Sequence, residues 1–215
     1  MVASNRRRWL ASAALTTLML MGVAGTARAD QALDAALATP GEWPTYGHGY
    51  DNTRFSPLKQ IDTANVGHLK LAYAFQLGSL RSNESTPLVI GDTLYVSTSW
   101  GPRYVYALDA RTGAMKWKYE PEIPDDVLQY ACCDVNSRGV SFADGKLFVG
   151  RLDGKLTAVD AATGKEVWTA DVVDYKQGSV ITSPPLVVKD MVITGFGGGE
   201  YGARGSLQAY DIKTG

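Results

Sequence analysis

The sequence predicts an all-β protein built as a β-propeller, and two observations indicate this fold. First, an eleven-residue phrase recurs at an interval of 51 residues, beginning at Ala107, Ala158 and Ala209. Second, short β-rich runs alternate with tight turns along the second half of the chain. Repeats of this length with about four short strands each are typical of propeller blades. The third phrase stops at Gly215, before its tryptophan, so we expect about three blades of a longer protein.

The repeated phrase predicts a strand, a tight turn and a second strand. In each copy the first strand ends at an aspartate, and a Thr-Gly pair follows in which glycine supplies the positive φ of the turn. The second strand carries Trp117 in the first copy and Trp168 in the second. A large ring at one fixed point of each repeat predicts packing between neighbouring blades, and no catalytic role.

The remaining elements follow from local patterns. Asp30 to Ala38 is alanine-rich and predicts a short helix that ends before Pro40-Gly41. Trp43 to Phe75 predicts an irregular segment. The predicted strands include Leu94–Thr98, Leu147–Gly150 and Met191–Thr194, with hairpin turns at Asp144-Gly145 and Asp153-Gly154.

Residues 1–29 have the pattern of an export signal. Three arginines, Arg6 to Arg8, precede an apolar stretch from Trp9 to Ala24, and Ala27-Arg28-Ala29 has the form of a cleavage site. We therefore expect a cleaved signal peptide over 1–29, a propeller segment over 30–215 and a periplasmic location. An uncleaved anchor is the alternative, although the stretch is too short for a stable membrane span. Sec and twin-arginine export both remain open.

The charge and the histidine content of the chain argue against two kinds of site, one for nucleic acid and one for zinc. The leader holds four of the 21 basic residues and none of the 22 acidic residues, which leaves the rest at a net charge of −5. This part has no basic stripe, so we expect no nucleic-acid partner. His48 and His68 are the only histidines and do not have the spacing of zinc ligands.

Two insertions in the repeat hold the residues with unusual chemistry. The longer link between the first two repeats contains Cys132 and Cys133, the only cysteines. Adjacent Cα atoms lie about 3.8 Å apart, which is below the usual disulfide range of about 4.4–6.8 Å. The pair is therefore a strained vicinal disulfide, two free thiols, or cysteines that bond to another chain.

The third repeat contains a glycine-rich insertion, Gly195 to Gly202. Its Gly197–Gly202 stretch matches G-x-G-x-x-G, but a strand is predicted to follow rather than a helix, so we reject a dinucleotide site. The loop instead brings backbone close to a ligand, with Glu200 as a candidate ligand of a hard cation such as calcium. A solvated surface glutamate is the alternative.

Glu84, Arg138 and Thr182 each lie just before the first strand of a repeat. Equivalent loops of a propeller surround its central axis, so we expect these three side chains to point at one shared ligand. An arginine is suited to hold a carboxylate of that ligand with two hydrogen bonds. Considered singly, each residue is also compatible with a solvent-facing turn.

These motifs resemble the pyrroloquinoline quinone (PQQ)-dependent alcohol dehydrogenases, the quinoprotein methanol and ethanol dehydrogenases. The most specific match is Tyr130–Gly139, which contains the adjacent cysteines and Arg138. The Trp-bearing repeats and the pattern from Trp43 to Ser56 also match, although His48 stands where an amide or basic residue is more usual. The resemblance covers residues 42–215.

The resemblance implies an eight-bladed propeller with PQQ on its axis. One face of PQQ would rest on a Cys132–Cys133 disulfide, and Glu200 would bind calcium or a lanthanide. Gly197 stands where relatives often have serine. The residues implied to bind PQQ are Glu84, Cys132, Cys133, Arg138, Thr182, Gly197, Gly198 and Gly199.

The implied function is oxidation of an alcohol, with electrons passing to a cytochrome c-type acceptor. The family's catalytic Asp, its Asn metal ligand and the Trp above the cofactor lie beyond Gly215, so no residue here is assigned as catalytic. Two alternatives are a non-catalytic propeller scaffold of outer-membrane assembly and a quinoprotein that acts on sugars or aldehydes. The cysteine pair and the Glu200 loop favour the enzyme.

Overall fold

The computed structural model describes residues 30–215, so the predicted signal peptide lies outside the described part. One α-helix is present there, α1 (Gln31–Ala38), as predicted. The Asp30 carboxylate caps it by accepting hydrogen bonds from the backbone N–H groups of Ala32 and Leu33. Leu33 and Ala36 are buried against the sheets. Within residues 30–215, no helix has the length and apolar character needed to cross a membrane.

Three antiparallel sheets follow, each a meander in which sequence neighbours pair. Two sheets have four strands and the third has three, which confirms the predicted partial propeller. The first sheet consists of β1 (Leu88–Ile90), β2 (Thr93–Ser97), β3 (Val105–Asp109) and β4 (Met115–Tyr119). The second consists of β5 (Ser141–Ala143), β6 (Lys146–Gly150), β7 (Lys155–Asp160) and β8 (Glu166–Asp171). The third consists of β9 (Leu186–Val188), β10 (Met191–Gly195) and β11 (Leu207–Asp211).

The repeated phrase forms the predicted turn after β3, β7 and β11. After β3, the Asp109 carboxylate accepts hydrogen bonds from the backbone N–H and the hydroxyl of Thr112, both at 2.8 Å. These bonds favour the charged form, so they lower the pKa of Asp109. Gly113 then takes a φ of +72°, which only glycine adopts without strain. Asp160 and Asp211 make the same bonds in their sheets.

Each tryptophan of the repeat docks onto the turn of the next sheet. The indole N–H of Trp117 in β4 donates to the backbone oxygen of Ala161 at 3.0 Å. Its ring covers Gly164 so closely that a Cβ there would lie 2.7 Å from the ring. Trp168 in β8 donates to the backbone oxygen of Ile212 at 3.3 Å in the same way. The predicted packing role of the tryptophans is therefore confirmed.

Tyr73 makes the same contact on the first sheet, which the sequence analysis missed. Its hydroxyl donates to the backbone oxygen of Ala110 at 3.2 Å, and its ring lies against Gly113. The residues around Tyr73 therefore occupy the place that β4 and β8 occupy toward their following sheets. The segment before β1 is otherwise irregular, as expected, apart from a 3₁₀ turn at Val66–His68 and a bridge between Trp43 and Val89.

The core lies between the sheets because the first three strands of the second sheet present side chains to both neighbouring sheets. In β6, Leu147 and Val149 join the cluster shared with the first sheet, whereas Phe148 joins the cluster shared with the third. All three side chains are fully buried. This two-sided burial explains the continuous apolar run Leu147–Val149 in β6.

We predict that Gly164→Ala destabilises the folded protein by about 1–3 kcal/mol more than Gly145→Ala, because only the first methyl group overpacks the docked Trp117 ring. Both glycines have positive φ values, +73° and +68°, but no atom lies within 4 Å of a Cβ placed on Gly145. Urea denaturation of both variants measures the difference. Equal destabilisation would mean that the docking contact contributes nothing.

Candidate functional site

The segments that precede the first strand of each sheet meet through their backbones. The N–H of Arg138, before β5, donates to the oxygen of Thr182, before β9, at 2.9 Å. The N–H of Thr86, before β1, donates to the oxygen of Arg138 at 3.2 Å. Side chains on these three segments are thereby held side by side.

Glu84, Arg138 and Thr182 form one continuous polar chain across the three sheets. The Nε of Arg138 lies 3.1 Å from the Oε2 of Glu84, and its Nη1 donates to the Oγ1 of Thr182 at 2.6 Å. The Arg138 and Glu84 side chains are 40% and 44% exposed, so water screens their attraction. The guanidinium therefore remains accessible to a ligand that carries a carboxylate.

The cysteine pair lies in a turn whose C-terminal side is held by two contacts. Asp134 follows the pair with a φ of +67°. Its Oδ1 forms an ion pair with the Nη1 of Arg81 at 2.7 Å. The N–H of Trp100 donates to the oxygen of Val135 at 2.8 Å. Cys132 and Cys133 are both exposed, and the structure holds them as free thiols. The disulfide implied by the resemblance is therefore not present in this structure.

The glycine-rich loop is placed by a short backbone pairing with the segment before β9. Gly197 and Val180 exchange two hydrogen bonds of 2.9 and 3.2 Å. Gly198 has a φ of +137°, and a Cβ there would collide with the oxygen of Gly178. One turn of 3₁₀ helix, Gly199–Tyr201, then carries Glu200, and no longer helix follows before β11. This agrees with the rejection of a dinucleotide site.

The cysteine turn and the glycine loop converge. The sulfurs of Cys132 and Cys133 and a carboxylate oxygen of Glu200 all lie within 4.8 Å of one another. The hydrogen bond to Cys133, partial burial and the negative charge of Glu200 raise the pKa of Cys132 to about 11. The group of three is therefore an electronegative cluster in which a cation would be stabilised.

A cleft of about 190 Å³ lies between these loops. Seven of the nine residues assigned from the sequence line it. Glu84 instead stands behind Arg138, and Gly199 lies between two lining residues. The lining residues are Cys132, Cys133, Asp134, Asn136, Arg138, Gly178, Val180, Thr182, Gly197, Gly198 and Glu200.

Asn136 is a site residue that the sequence analysis missed. It is 7% exposed, and its amide nitrogen lies 3.3 Å from the Oε1 of Glu84 and 3.2 Å from the backbone oxygen of Cys133. Its own Oδ1 is buried and has no partner among the described residues. Asn136 thus ties the polar chain to the cysteine turn. The sequence did offer one signal for this role, since Asn136 is an amide residue placed between the cysteines and Arg138.

The cleft has the chemistry of a site for a carboxylate-bearing molecule, but it is one part of such a site. Small-molecule pockets usually have volumes of about 300–1,000 Å³, whereas this cleft has about 190 Å³. The Arg138 guanidinium and the Thr182 hydroxyl supply hydrogen-bond donors on one side. Two carboxylates line the cleft, those of Glu200 and Asp134, and Asp134 is paired with Arg81. They fall short of the roughly six to eight oxygens that calcium takes.

A partial propeller whose axial loops carry adjacent cysteines, an arginine and a glycine-loop carboxylate defines the class of a quinoprotein-type propeller. The family described as "PQQ: Glucose/ethanol/alcohol dehydrogenase, beta-propeller domain" matches residues 43–215. The chain belongs to this family, as the resemblance indicated.

Individual relatives are similar to this chain over most of its length. A lanthanide-dependent methanol dehydrogenase of Methylacidiphilum fumariolicum is 45% identical over 203 residues, which are 94% of this chain and 33% of that protein. A quinohemoprotein alcohol dehydrogenase of Comamonas testosteroni is 44% identical over 222 residues, which are 98% of this chain and 31% of that protein. This chain therefore spans about a third of the length of these relatives.

Solved structures show the same similarity. A europium-containing methanol dehydrogenase aligns with a TM-score of 0.81 at 46% identity, over 85% of this chain and 32% of that chain. The crystal structure of the Comamonas testosteroni quinohemoprotein alcohol dehydrogenase also aligns with a TM-score of 0.81 at 46% identity. This alignment covers 88% of this chain and 28% of that chain.

We predict that Glu200→Gln accelerates alkylation of Cys132 at pH 9 in the reduced protein. Removing the carboxylate charge lowers the pKa of this thiol, so a larger fraction is thiolate at that pH. Reaction with iodoacetamide, assigned by fragment-ion mass spectrometry, measures the rate.

The matched control is Glu120→Gln, a half-exposed carboxylate on another part of the surface, which should leave the rate unchanged. If Glu200→Gln also leaves it unchanged, Glu200 does not act on the cysteine pair as the geometry indicates.

Proposed function

We propose that this chain forms part of a PQQ-dependent enzyme that oxidises an alcohol to an aldehyde. The observation that carries the proposal is the convergence of Cys132, Cys133 and Glu200 within 4.8 Å, beside the Glu84–Arg138–Thr182 chain. Family membership supports PQQ as the ligand. PQQ, when bound, supplies the two-electron acceptor for the hydride of the alcohol.

Each site residue has a role in holding the cofactor. Arg138 pairs with a cofactor carboxylate, while Glu84 holds the guanidinium from behind and Thr182 donates its hydroxyl. Cys132 and Cys133 form the floor under the ring, as a disulfide in an oxidising compartment. Gly197, Gly198 and Gly199 keep side chains away from the ring edge. Asn136 fixes Glu84 relative to the floor.

Glu200 serves as one ligand of a hard cation, calcium or a lanthanide. Such an ion draws electron density from an oxygen it touches, and so acts as a Lewis acid. The remaining ligands and the base that accepts the alcohol proton belong to parts of the protein beyond these blades. A relative named as lanthanide-dependent supports a lanthanide as a candidate beside calcium.

We further propose a periplasmic location and a cytochrome c-type partner. The leader pattern of residues 1–29 supports export to the periplasm. A cytochrome c-type protein would accept the electrons, and a relative from Thauera butanivorans is named 1-butanol dehydrogenase (cytochrome c). An eight-bladed ring would supply the other walls of the cleft.

The family match favours the enzyme over a non-catalytic scaffold, since a scaffold has no use for the cleft chemistry. It does not separate alcohols from sugars, because the family's description includes glucose. The relatives reported above are named for alcohols, and they support an alcohol as the substrate.

We predict that Arg138→Ala weakens PQQ binding by the full-length protein about 10- to 100-fold, because a hydrogen-bonded charge pair with the cofactor is lost. Fluorescence titration with PQQ measures the affinity. The control is Arg111→Ala, an exposed arginine of a turn, which should bind as the unaltered protein does. Equal affinity in Arg138→Ala would contradict the assignment of this side chain.

We also predict that Glu200→Gln abolishes alcohol-dependent dye reduction at calcium or lanthanide concentrations that saturate the unaltered protein, because a neutral amide is a weaker ligand for a hard cation. Adding excess metal should restore part of the rate. Full activity of Glu200→Gln without added metal would exclude Glu200 as a metal ligand, and no activity of the unaltered protein with PQQ and any alcohol would refute the proposed function.

A further inference from the structure

A buried hydroxyl at the end of β2 connects the segments that precede β1 and β5. The Oγ of Ser97 lies 3.0 Å from the Oγ of Ser85, before β1, and 3.2 Å from the Oγ of Ser137, before β5. The backbone N–H of Ser97 also donates to the Ser85 hydroxyl at 3.3 Å. Ser97 is fully buried, and Ser137 is 2% exposed. One side chain of the first sheet therefore holds both segments.

The two serines that Ser97 contacts are chain neighbours of two site residues. Ser85 follows Glu84, and Ser137 precedes Arg138. Ser137 is directed into the interior, whereas the Arg138 and Glu84 side chains are partly exposed on the side of the cleft. Because neighbouring residues share a planar peptide group, fixing each serine also fixes the point from which the next side chain starts.

We infer that Ser97 is a positioning residue, which sets the separation between Glu84 and Arg138 and so orients the Arg138 guanidinium for a carboxylate of the cofactor. The inference rests on the proposed function for the identity of that carboxylate. Since Ser97 is fully buried, it acts through Arg138 and not by contact with a ligand.

The ion pair between Glu84 and Arg138 is a weak restraint on this separation. Both side chains are partly exposed, so water screens their attraction and the pair contributes little. The hydroxyls of Ser97 and Ser137 are shielded from water, and a buried hydroxyl that loses its partner is unfavourable. Moving the two segments apart therefore breaks the bonds that water cannot replace.

A serine at position 97 satisfies both contacts at once. A hydroxyl donates one hydrogen bond and accepts up to two, so the Ser97 hydroxyl can donate to one serine while it accepts from the other. Ser97→Ala removes both bonds and leaves the buried Ser137 hydroxyl without this partner. The backbone bond from Thr86 to Arg138 remains, so we expect a looser arrangement of the two segments and no loss of the fold.

The test is a double-mutant cycle on PQQ affinity in the full-length protein, with Ser97→Ala, Arg138→Ala and the double variant. We expect Ser97→Ala to weaken PQQ binding about three- to tenfold, because the guanidinium is no longer preorganised. In the Arg138→Ala background the same substitution should have no further effect. Unchanged affinity in Ser97→Ala, or an equal loss in both backgrounds, overturns the inference, since a general loss of stability does not depend on Arg138.

The matched control is Thr157→Val, which deletes an equally buried hydroxyl of the second sheet. Thr157 is fully buried and bonds to the Thr169 hydroxyl at 2.9 Å, so this variant should bind PQQ as the unaltered protein does. Ser85→Ala is a second variant at a half-buried position, which removes the other end of the same bond. It should show the same dependence on Arg138, and it keeps the test decisive if Ser97→Ala does not fold.

A second measurement needs no cofactor. Phenylglyoxal modifies arginine side chains, and mass spectrometry assigns the rate at Arg138. Ser97→Ala should raise this rate about three- to tenfold, because the guanidinium is released from the hydrogen-bonded pair with Glu84, while Thr157→Val should leave it unchanged. An unchanged rate in Ser97→Ala overturns the inference. Failure of the unaltered protein to bind PQQ would instead refute the proposed function, so the two failures are distinguishable.

Discussion

The docking of an aromatic ring onto a glycine turn is the contact on which the rest of this structure depends. It occurs three times, with Tyr73, Trp117 and Trp168 each donating a hydrogen bond to the sheet that follows. Because each ring joins one element to the turn of the next sheet, it holds successive sheets against each other. The segments before β1, β5 and β9 lie side by side, and Arg138 bonds to both neighbouring segments there.

The site follows from this arrangement because its residues come from different repeats. Glu84, Arg138 and Thr182 belong to three sheets, and they contact one another only because the segments before β1, β5 and β9 are held side by side. The two insertions add the cysteine turn and the Glu200 loop on the same side. A regular array thus supplies the scaffold, and its irregularities supply the chemistry.

The sequence predicts the array well, since strands, turns and docking residues repeat at a fixed interval. It predicts the grouping of the site residues as well, because equivalent loops of a propeller must converge. Tyr73 was missed since tyrosine replaces tryptophan outside the repeated phrase. Asn136 was missed because its role depends on two partners, Glu84 and the Cys133 backbone, whose positions only the fold determines. The bonding state of the cysteines was left open, and the structure holds free thiols.

The central claim is that the axial loops of these three sheets form one side of a cofactor site. A crystal structure of the full-length protein with PQQ and a metal ion bound tests it most directly. We expect a carboxylate of PQQ within hydrogen-bonding distance of Arg138 and Thr182, the PQQ ring against Cys132 and Cys133, and the metal ion on Glu200. PQQ bound elsewhere, with Arg138 still contacting only Glu84 and Thr182, would contradict it.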